Sequence, residues 1–383
     1  MKHHPEDVDM QYALEQISGW QAAKKKLPTW AATDGIIYPP HISMEQCSSE
    51  QTAKYKKELA ARLLNNDVDG TFVDLTGGFG VDFSYIAKNF SHSVYVEQRQ
   101  NLCILAQNNM PLFELKNVEV RCDDCVEYLK SMPHVSMIFI DPARRDINGE
   151  RTFAISDCTP DIIAIKELLL DKADWIVVKL SPMLDWHKAV DDLNCVAEVH
   201  IVSVKNECKE LLLVLHKDSG KKTSNVYCAD CSGKSTSGAD WTMMRFCLSD
   251  AESSACATFG SPVEGIFMYE PNSSVMKASC FKKLSSLRSM PMISENSHLY
   301  LSECLDKTFP GRCFKVKKVT GLGKKELRKA LSGIEKANLA VRNFPMSVAE
   351  LRKKLKLKDG GSIYIFATTL QDDSHVLVIT EKA

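Results

Sequence analysis

The chain has 383 residues, 44% hydrophobic and 25% charged, with 14 cysteines and a formal net charge of −1. Such a length accommodates two or three domains with separate cores, and the composition is that of a soluble globular protein. No run of 18 apolar residues occurs, which excludes a membrane-spanning helix, and Met1-Lys2-His3-His4-Pro5-Glu6-Asp7 lacks the apolar stretch of a secretory signal.

Scattered cysteines in a chain this large read as the reduced thiols of a cytoplasmic protein. Cys228-Ala229-Asp230-Cys231 is a lone Cys-x-x-Cys, and Cys247 and Cys256 do not supply the second pair that zinc requires. No metal is expected. Charge is segregated: Arg312 to Lys358 holds 15 Lys plus Arg and 3 Glu, a net of +12, leaving −13 on the rest. A basic block of this kind is the electrostatic footprint of a polyanion partner.

In chain order, residues 8–26 are helical in pattern, with Tyr12, Leu14, Ile17, Trp20 and Ala23 recurring mostly every three residues. Pro28, Pro39 and Pro40 interrupt the chain, and Ser48 or Ser49 caps a helix running to about Asn65. Residues 1–66 thus form an N-terminal helical segment. Over 67–220 strand and helix patterns alternate, with strands at 71–75, 93–97, 118–122, 136–140, 174–179, 199–204 and 210–216. Alternation predicts a mostly parallel, doubly wound α/β sheet. The last two strands are joined by Lys205-Asn206-Glu207-Cys208-Lys209, too short for a helix, so they pair antiparallel. Residues 221–300 are expected to be a small intermediate α+β module, beginning in a Ser-, Lys- and Gly-rich stretch. Residues 301–383 read β-α-β-α-β-β, with Ser347 and Glu350 as a capping box.

The chemistry concentrates at strand ends. Thr71-Phe72-Val73 is a buried strand, followed by Asp74-Leu75-Thr76-Gly77-Gly78-Phe79-Gly80 and a helix over 81–90. Glycines at such a turn let the backbone approach a ligand closely, and the helix N-terminus points at it. Glu97 lies about 20 residues on, where a carboxylate can accept both hydroxyls of a ribose. Phe83 stands where a dinucleotide fingerprint needs its third glycine, and Asp74 would repel pyrophosphate, which disfavours a dehydrogenase. Asp74 suits instead a ligand carrying positive charge.

Asp123-Asp124 ends the next strand, where a carboxylate can take an exocyclic amine. Asp124 fits the register better, although Asp123 stays open. Ile138-Phe139-Ile140-Asp141-Pro142-Ala143-Arg144-Arg145 then puts an acid and a rigid turn at the carboxyl edge of the sheet, where open α/β sheets bind ligands. Arg144, Arg145 and Arg151 could clamp phosphate or carboxylate. Lys179 and Ser181 end the fifth strand on the same edge. Cys158 and Cys208 read as ordinary thiols.

The glycine turn, Glu97, Asp124 and Asp-Pro element together resemble the class I S-adenosylmethionine-dependent methyltransferases over residues 45–216, with Thr76 where those proteins commonly have a first Gly. Asp-Pro-Ala-Arg-Arg, Gly149-Glu150-Arg151, Tyr269-Glu270-Pro271 and the basic C-terminal block resemble a bacterial family of such enzymes with a THUMP-like C-terminal domain. The resemblance implies S-adenosylmethionine as cofactor, with Asp74, Thr76, Gly78 and Gly80 at its methionine end, Glu97 on ribose and Asp124 on adenine. It also implies Thr52, in the segment that covers the cofactor. Asp141, Pro142 and Arg144 would be the catalytic set, and Arg145, Arg151, Lys179 and Ser181 substrate contacts. THUMP domains accompany RNA-modifying enzymes, so the implied substrate is RNA, transfer or ribosomal. Rival expectations are a small-molecule or protein methyltransferase and a non-catalytic RNA-binding protein.

Overall fold

The computed structural model describes residues 9–65, 69–115, 117–144, 155–219, 225–232, 241–248 and 257–383. Two compact units are present: Met1–Tyr227 with Cys231–Asp240, and Trp241–Ala383 with Cys228–Asp230.

The first unit opens with helices α1 (Met10–Lys26), α2 (Pro28–Ala31), α3 (His41–Gln46) and α4 (Glu50–Leu64). Ser49 caps α4, its hydroxyl accepting the Thr52 N–H at 3.3 Å. In α1 the apolar stripe does not face a core. Tyr12, Leu14, Ile17 and Trp20 are exposed, and the helix packs through Gly19 and Ala23 instead. Gly19 is required there, since a Cβ would fall 2.4 Å from Tyr38 Cβ.

Alternation then begins: β1 (Thr71–Asp74), α5 (Val81–Ile86), β2 (His92–Glu97), α6 (Gln100–Asn109), β3 (Val118–Cys122), α7 (Cys125–Ser131) and β4 (Val135–Ile140). A short ladder of β5 (Ala143–Arg144) with β6 (Cys158–Thr159) follows, then α8 (Ile162–Lys172), β7 (Ala173–Leu180), α9 (Trp186–Leu193), β8 (Val196–Val204), β9 (Glu207–Leu215) and β10 (Asn225–Cys231). The sheet runs β10-β8-β9-β7-β4-β1-β2-β3. β1 pairs parallel with both β2 and β4, while β9 lies antiparallel between β7 and β8. Antiparallel pairing of the last two strands was expected; the insertion of β9 between β7 and β8 is a tertiary choice. Successive strands leave β1 in opposite directions, toward β3 on one side and β7 on the other. The switch point therefore lies between β1 and β4, and ligands of open sheets bind outside the carboxyl ends there. Phe72, Val94, Ile138 and Ile176 in the middle of this sheet are fully or almost fully buried.

The second unit contains β11 (Trp241–Cys247), β12 (Phe267–Pro271), α10 (Ser273–Ala278), α11 (Phe281–Arg288), β13 (Tyr300–Ser302), β14 (Gly311–Thr320), α12 (Lys324–Ala330), β15 (Asn338–Arg342), α13 (Val348–Leu355), β16 (Ile363–Thr369) and β17 (His375–Lys382). From β14 onward this is the β-α-β-α-β-β order read from the sequence, with the Ser347–Glu350 capping box formed. One six-stranded sheet, β13-β12-β14-β17-β16-β15, takes strands from both sides of residue 300. Alternate side chains serve two cores. Met268, Phe314, Phe366 and Val378 pack with Ile293 and Leu299 on one face, and Ile365, Leu377 and Ile379 pack with Leu351 and Leu355 of α13 on the other. Among the described residues no helix is long and apolar enough to cross a membrane.

Candidate active site

The turn after β1 is built by three hydrogen bonds. Gly77 N–H donates to Val96 O at 2.8 Å, Gly80 N–H to Gly77 O at 2.8 Å, and Gly78 N–H to Glu97 Oε2 at 2.9 Å. Gly78 and Gly80 lie at φ +57° and +85°, a region costly for residues with a Cβ. Gly77 is forced by packing, because a Cβ would stand 2.1 Å from the Tyr95 ring. At Gly78 the nearest atom to such a Cβ is Thr76 O at 3.7 Å, so this side of the turn is open. Phe83 is fully buried, stacked on Phe72 and edge-on to Tyr95. A glycine there would leave a hole in that core.

Asp74 closes β1 and is 1% exposed. Burial pushes its carboxyl well above the usual range; the Thr76 N–H at 2.9 Å opposes this, while Asp82 and Asp141 push it further up. An added cation would relieve that condition. Thr76 has a second task that explains why it replaces a glycine. Its hydroxyl accepts the Asp141 backbone N–H at 2.7 Å, tying the β1 turn to the β4 turn. Glu97 is nearly buried. Burial raises its pKa, but hydrogen bonds from Arg99 (Nε and N–H) and from Gly78 prevail and lower it. Its carboxylate therefore stays charged and holds the glycine turn from below. At the end of β3, Asp124 caps α7, with Oδ1 accepting Val126 and Glu127 N–H at 2.9 and 3.1 Å. Asp123 is exposed and accepts the Asp124 N–H at 2.8 Å.

Asp141 follows β4, with 40% of its side chain exposed, and Pro142 behind it is buried. Lys179 Nζ lies 2.6 Å from Asp141 Oδ2 and 3.4 Å from Asp82 Oδ2. Asp82 Oδ1 in turn lies 3.0 Å from Lys56 Nζ, which also bonds Glu210 Oε2. Ser48 Oγ sits 2.7 Å from Asp82 Oδ2 and accepts from Lys56 at 3.0 Å. The result is a chain of alternating charge, Glu210–Lys56–Asp82–Lys179–Asp141, buried at its first three members, 12% exposed at Lys179 and open at Asp141. Burial works against the charge on Lys179, yet Asp141 and Asp82 hold its pKa well above the ordinary value. A lysine so held is a fixed cation, not a base.

Asp74, Thr76, Gly78, Gly80, Glu97, Asp141, Pro142 and Lys179 thus come together at the carboxyl edge. Thr52 is 1% exposed, its hydroxyl directed to Ser49 O at 3.1 Å within the first turn of α4, and it does not join that row. Ser181 accepts the Met183 N–H at 3.3 Å in the turn after β7. The Arg144 backbone pairs with Cys158, whereas Arg145 and Arg151 lie outside the described residues. Sequence reasoning missed Ser48, Lys56, Asp82 and Glu210. Lys56 left a signal, a cation on the apolar stripe of α4 beside Ala53, Leu59 and Leu63. A 450 Å³ groove between α1 and α3, lined by residues such as Met10, Leu14 and Met44, shares no lining residue with this edge and holds no comparable chemistry. Among the described residues no group of three or more His, Cys, Asp or Glu could hold a metal ion.

The fold and this acid-lined switch point define a Rossmann-like class I methyltransferase architecture. A crystal structure from Porphyromonas gingivalis W83, described as a "putative methyltransferase", is 30% identical over 100% of this chain and 92% of that one, with a TM-score of 0.88. Residues 311–382 match a family model described as THUMP domain-like, and 267–310 match one described as a ferredoxin-like domain. The chain belongs to the class I S-adenosylmethionine-dependent methyltransferase family with a THUMP-like C-terminal domain. More remote are a class I S-adenosylmethionine-dependent methyltransferase fold from Listeria monocytogenes, itself described as "putative" (12% identity, 59% of this chain and 76% of that one, TM-score 0.39), and a methyltransferase of the same cofactor class from Agrobacterium tumefaciens (14%, 48% and 55%, 0.31). At those scores neither lends weight to a statement about this chain. No curated protein matches.

Proposed function

We propose that the protein is an S-adenosylmethionine-dependent methyltransferase that modifies RNA, transfer or ribosomal, in the cytoplasm. The observation that carries this reading is the open glycine turn set between buried Asp74 and Glu97, with Asp141 tied to it through Thr76. The donor set fits the cofactor. A buried acid suits a cation, Glu97 suits vicinal hydroxyls, and Asp124, whose capping bonds fall on Oδ1, suits an exocyclic amine. None of these acids suits pyrophosphate. When bound, S-adenosylmethionine supplies an electrophilic methyl group on a sulfonium.

The protein's own task is then positioning. Thr76, Gly78 and Gly80 shape the methionine end, and Thr52, in the segment expected to cover the cofactor, is a further candidate contact. Asp141, stiffened by Pro142 and held by Lys179, orients the methyl acceptor by accepting a hydrogen bond from it. Arg144, Arg145, Arg151 and Ser181 are the candidates for gripping the acceptor's phosphate. RNA is favoured over a small molecule or protein by the THUMP domain-like segment and by the net +12 of Arg312 to Lys358 within it. The non-catalytic reading has one observation in its favour, the engagement of Asp141 by Lys179.

Calorimetric titration with S-adenosylhomocysteine tests the cofactor: micromolar binding abolished by Glu97→Ala is expected, and no binding by the wild-type protein would refute it. Transfer of labelled methyl to RNA should be lost in Asp141→Ala while cofactor and RNA binding persist. An unchanged rate in that variant removes Asp141 from the mechanism.

A further inference from the structure

Tyr269-Glu270-Pro271 stands apart from the cofactor chemistry, and the second unit gives it a role. Glu270, on β12, is 1% exposed. Directly opposite on β14 is Arg312, whose Nε donates to Glu270 Oε2 at 2.8 Å and whose Nη2 reaches the same oxygen. Arg342 Nη2 donates to Oε1 at 2.5 Å. Arg342 ends β15, an edge strand, while β12 is second from the other edge. The sheet must therefore curl until residues 72 positions apart in sequence meet over its face.

A buried carboxylate needs compensation, and Arg312 alone supplies one full positive charge through two hydrogen bonds. The second guanidinium leaves the triad at +1. Side chains of Arg312 and Arg342 remain 41% and 35% exposed, so this surplus faces solvent. The bonds of Arg312 to Glu270 use Nε and Nη2, which leaves its Nη1 for another acceptor, and Arg342 Nε is buried without one. His298, whose pKa is lowered by burial and by the charge of Arg342, adds a second buried nitrogen without a partner, Nδ1. Glu270 also removes the usual cost of ordering two long side chains on binding, because both forks are already fixed. Arg342 Nη1 donates to Val341 O at 3.2 Å, so what a tetrahedral oxyanion would meet is the spare Nη1 of Arg312 and the net positive charge of two ordered, part-exposed guanidiniums.

We propose that the Glu270-held pair of Arg312 and Arg342 is a phosphate-binding site whose ligand is a phosphodiester of an RNA chain. The source rests on the RNA reading above; the phosphate chemistry rests on the triad alone. The surrounding block, with a net +12 from Arg312 to Lys358, supplies the long-range attraction, and the triad supplies a fixed point of attachment.

The first measure uses the full-length wild-type protein, in which the buried glutamate keeps both partners. Arginine-selective dicarbonyl labelling is read by peptide mass, alone, with a transfer RNA pool, and with inorganic phosphate. Binding of the RNA is followed in parallel by fluorescence anisotropy. Protection of Arg312 and Arg342 by bound RNA is expected. RNA that binds without protecting them overturns the proposal and leaves the RNA reading standing. If no RNA binds, the RNA source is overturned, and the phosphate arm decides the rest: protection supports a site for a free phosphate ester, and its absence overturns the site altogether. As a second measure, Arg312→Gln/Arg342→Gln, verified as folded, should flatten the slope of log affinity against log salt. The change expected on single strands is about 0.7 for each phosphate that is no longer neutralised. Arg312→Lys/Arg342→Lys should restore the slope but not the full affinity. A slope unchanged in the glutamine pair would also overturn the proposal.

Discussion

Replacing Lys56 by Met should destabilise the first unit without touching the surface of the site. Lys56 is 1% exposed and is flanked by Glu210, by Asp82 at 3.0 Å and by Ser48 at 3.0 Å. Methionine nearly fills the same volume, so cavity formation contributes little. The main loss is compensation: two buried carboxylates lose a shared cation. Breaking a buried pair from one side typically costs about 3–5 kcal/mol. At about 2–4 °C per kcal/mol for a unit of this size, the melting temperature should fall by roughly 6–20 °C. Scanning calorimetry is the assay, because two compact units need not melt together. If uncompensated charge is the cause, Glu210→Gln added to Lys56→Met should recover about 1–3 kcal/mol, a coupling expected only of groups that touch. A Lys56→Met protein within about 1 kcal/mol of wild type, or additive effects in the double variant, would refute the reasoning.

Lys179→Met frees Asp141 from its 2.6 Å partner; with a misplaced acceptor costing about 100-fold, methyl transfer should fall on that scale while S-adenosylhomocysteine affinity holds. Comparable losses in both would show a merely structural lysine, and Lys179→Arg should return part of the rate. Gly77→Ala drives a Cβ to within 2.1 Å of the fully buried Tyr95 ring, so a loss of about 1–3 kcal/mol and of cofactor binding is expected, checked by calorimetry and titration. Stability should also fall with acid. Burial depresses His200, whose Nε2 lies 2.9 Å from Glu198, and although burial raises Glu198, His200 and Arg62 hold it at about 2. Both groups bind protons more readily when unfolded, so their contribution is complete above the ordinary His range. The His200 part is lost first, below about pH 6.5, and the Glu198 part goes between its ordinary range and about pH 2. Urea unfolding from pH 7.5 to 4 measures this, and stability that rises on acidification would contradict it.

The main strands from residue 71 to 216 and from 311 onward were legible as runs of alternation and β-branched residues, because burial on one face or two imprints itself directly on local sequence, whereas β10 to β13 were not. Caps and turns were equally local. Ser49, the Ser347–Glu350 box and the glycines at 77, 78 and 80 each answer to backbone geometry within a few residues. Asp74, Glu97 and Asp141 could be read for the same reason: each sits at a strand end, and in a parallel sheet the strand ends share an edge. What period alone cannot say is which strands are neighbours. Placing β9 between β7 and β8 brings Glu210 to Lys56, and the switch beside β1 brings Asp82 and Lys179 to Asp141. In the second unit the curl of the sheet brings Arg342 to Glu270. A buried charge looks like any other charge in the sequence, since its partner lies tens to hundreds of residues away and only the packed sheet supplies it.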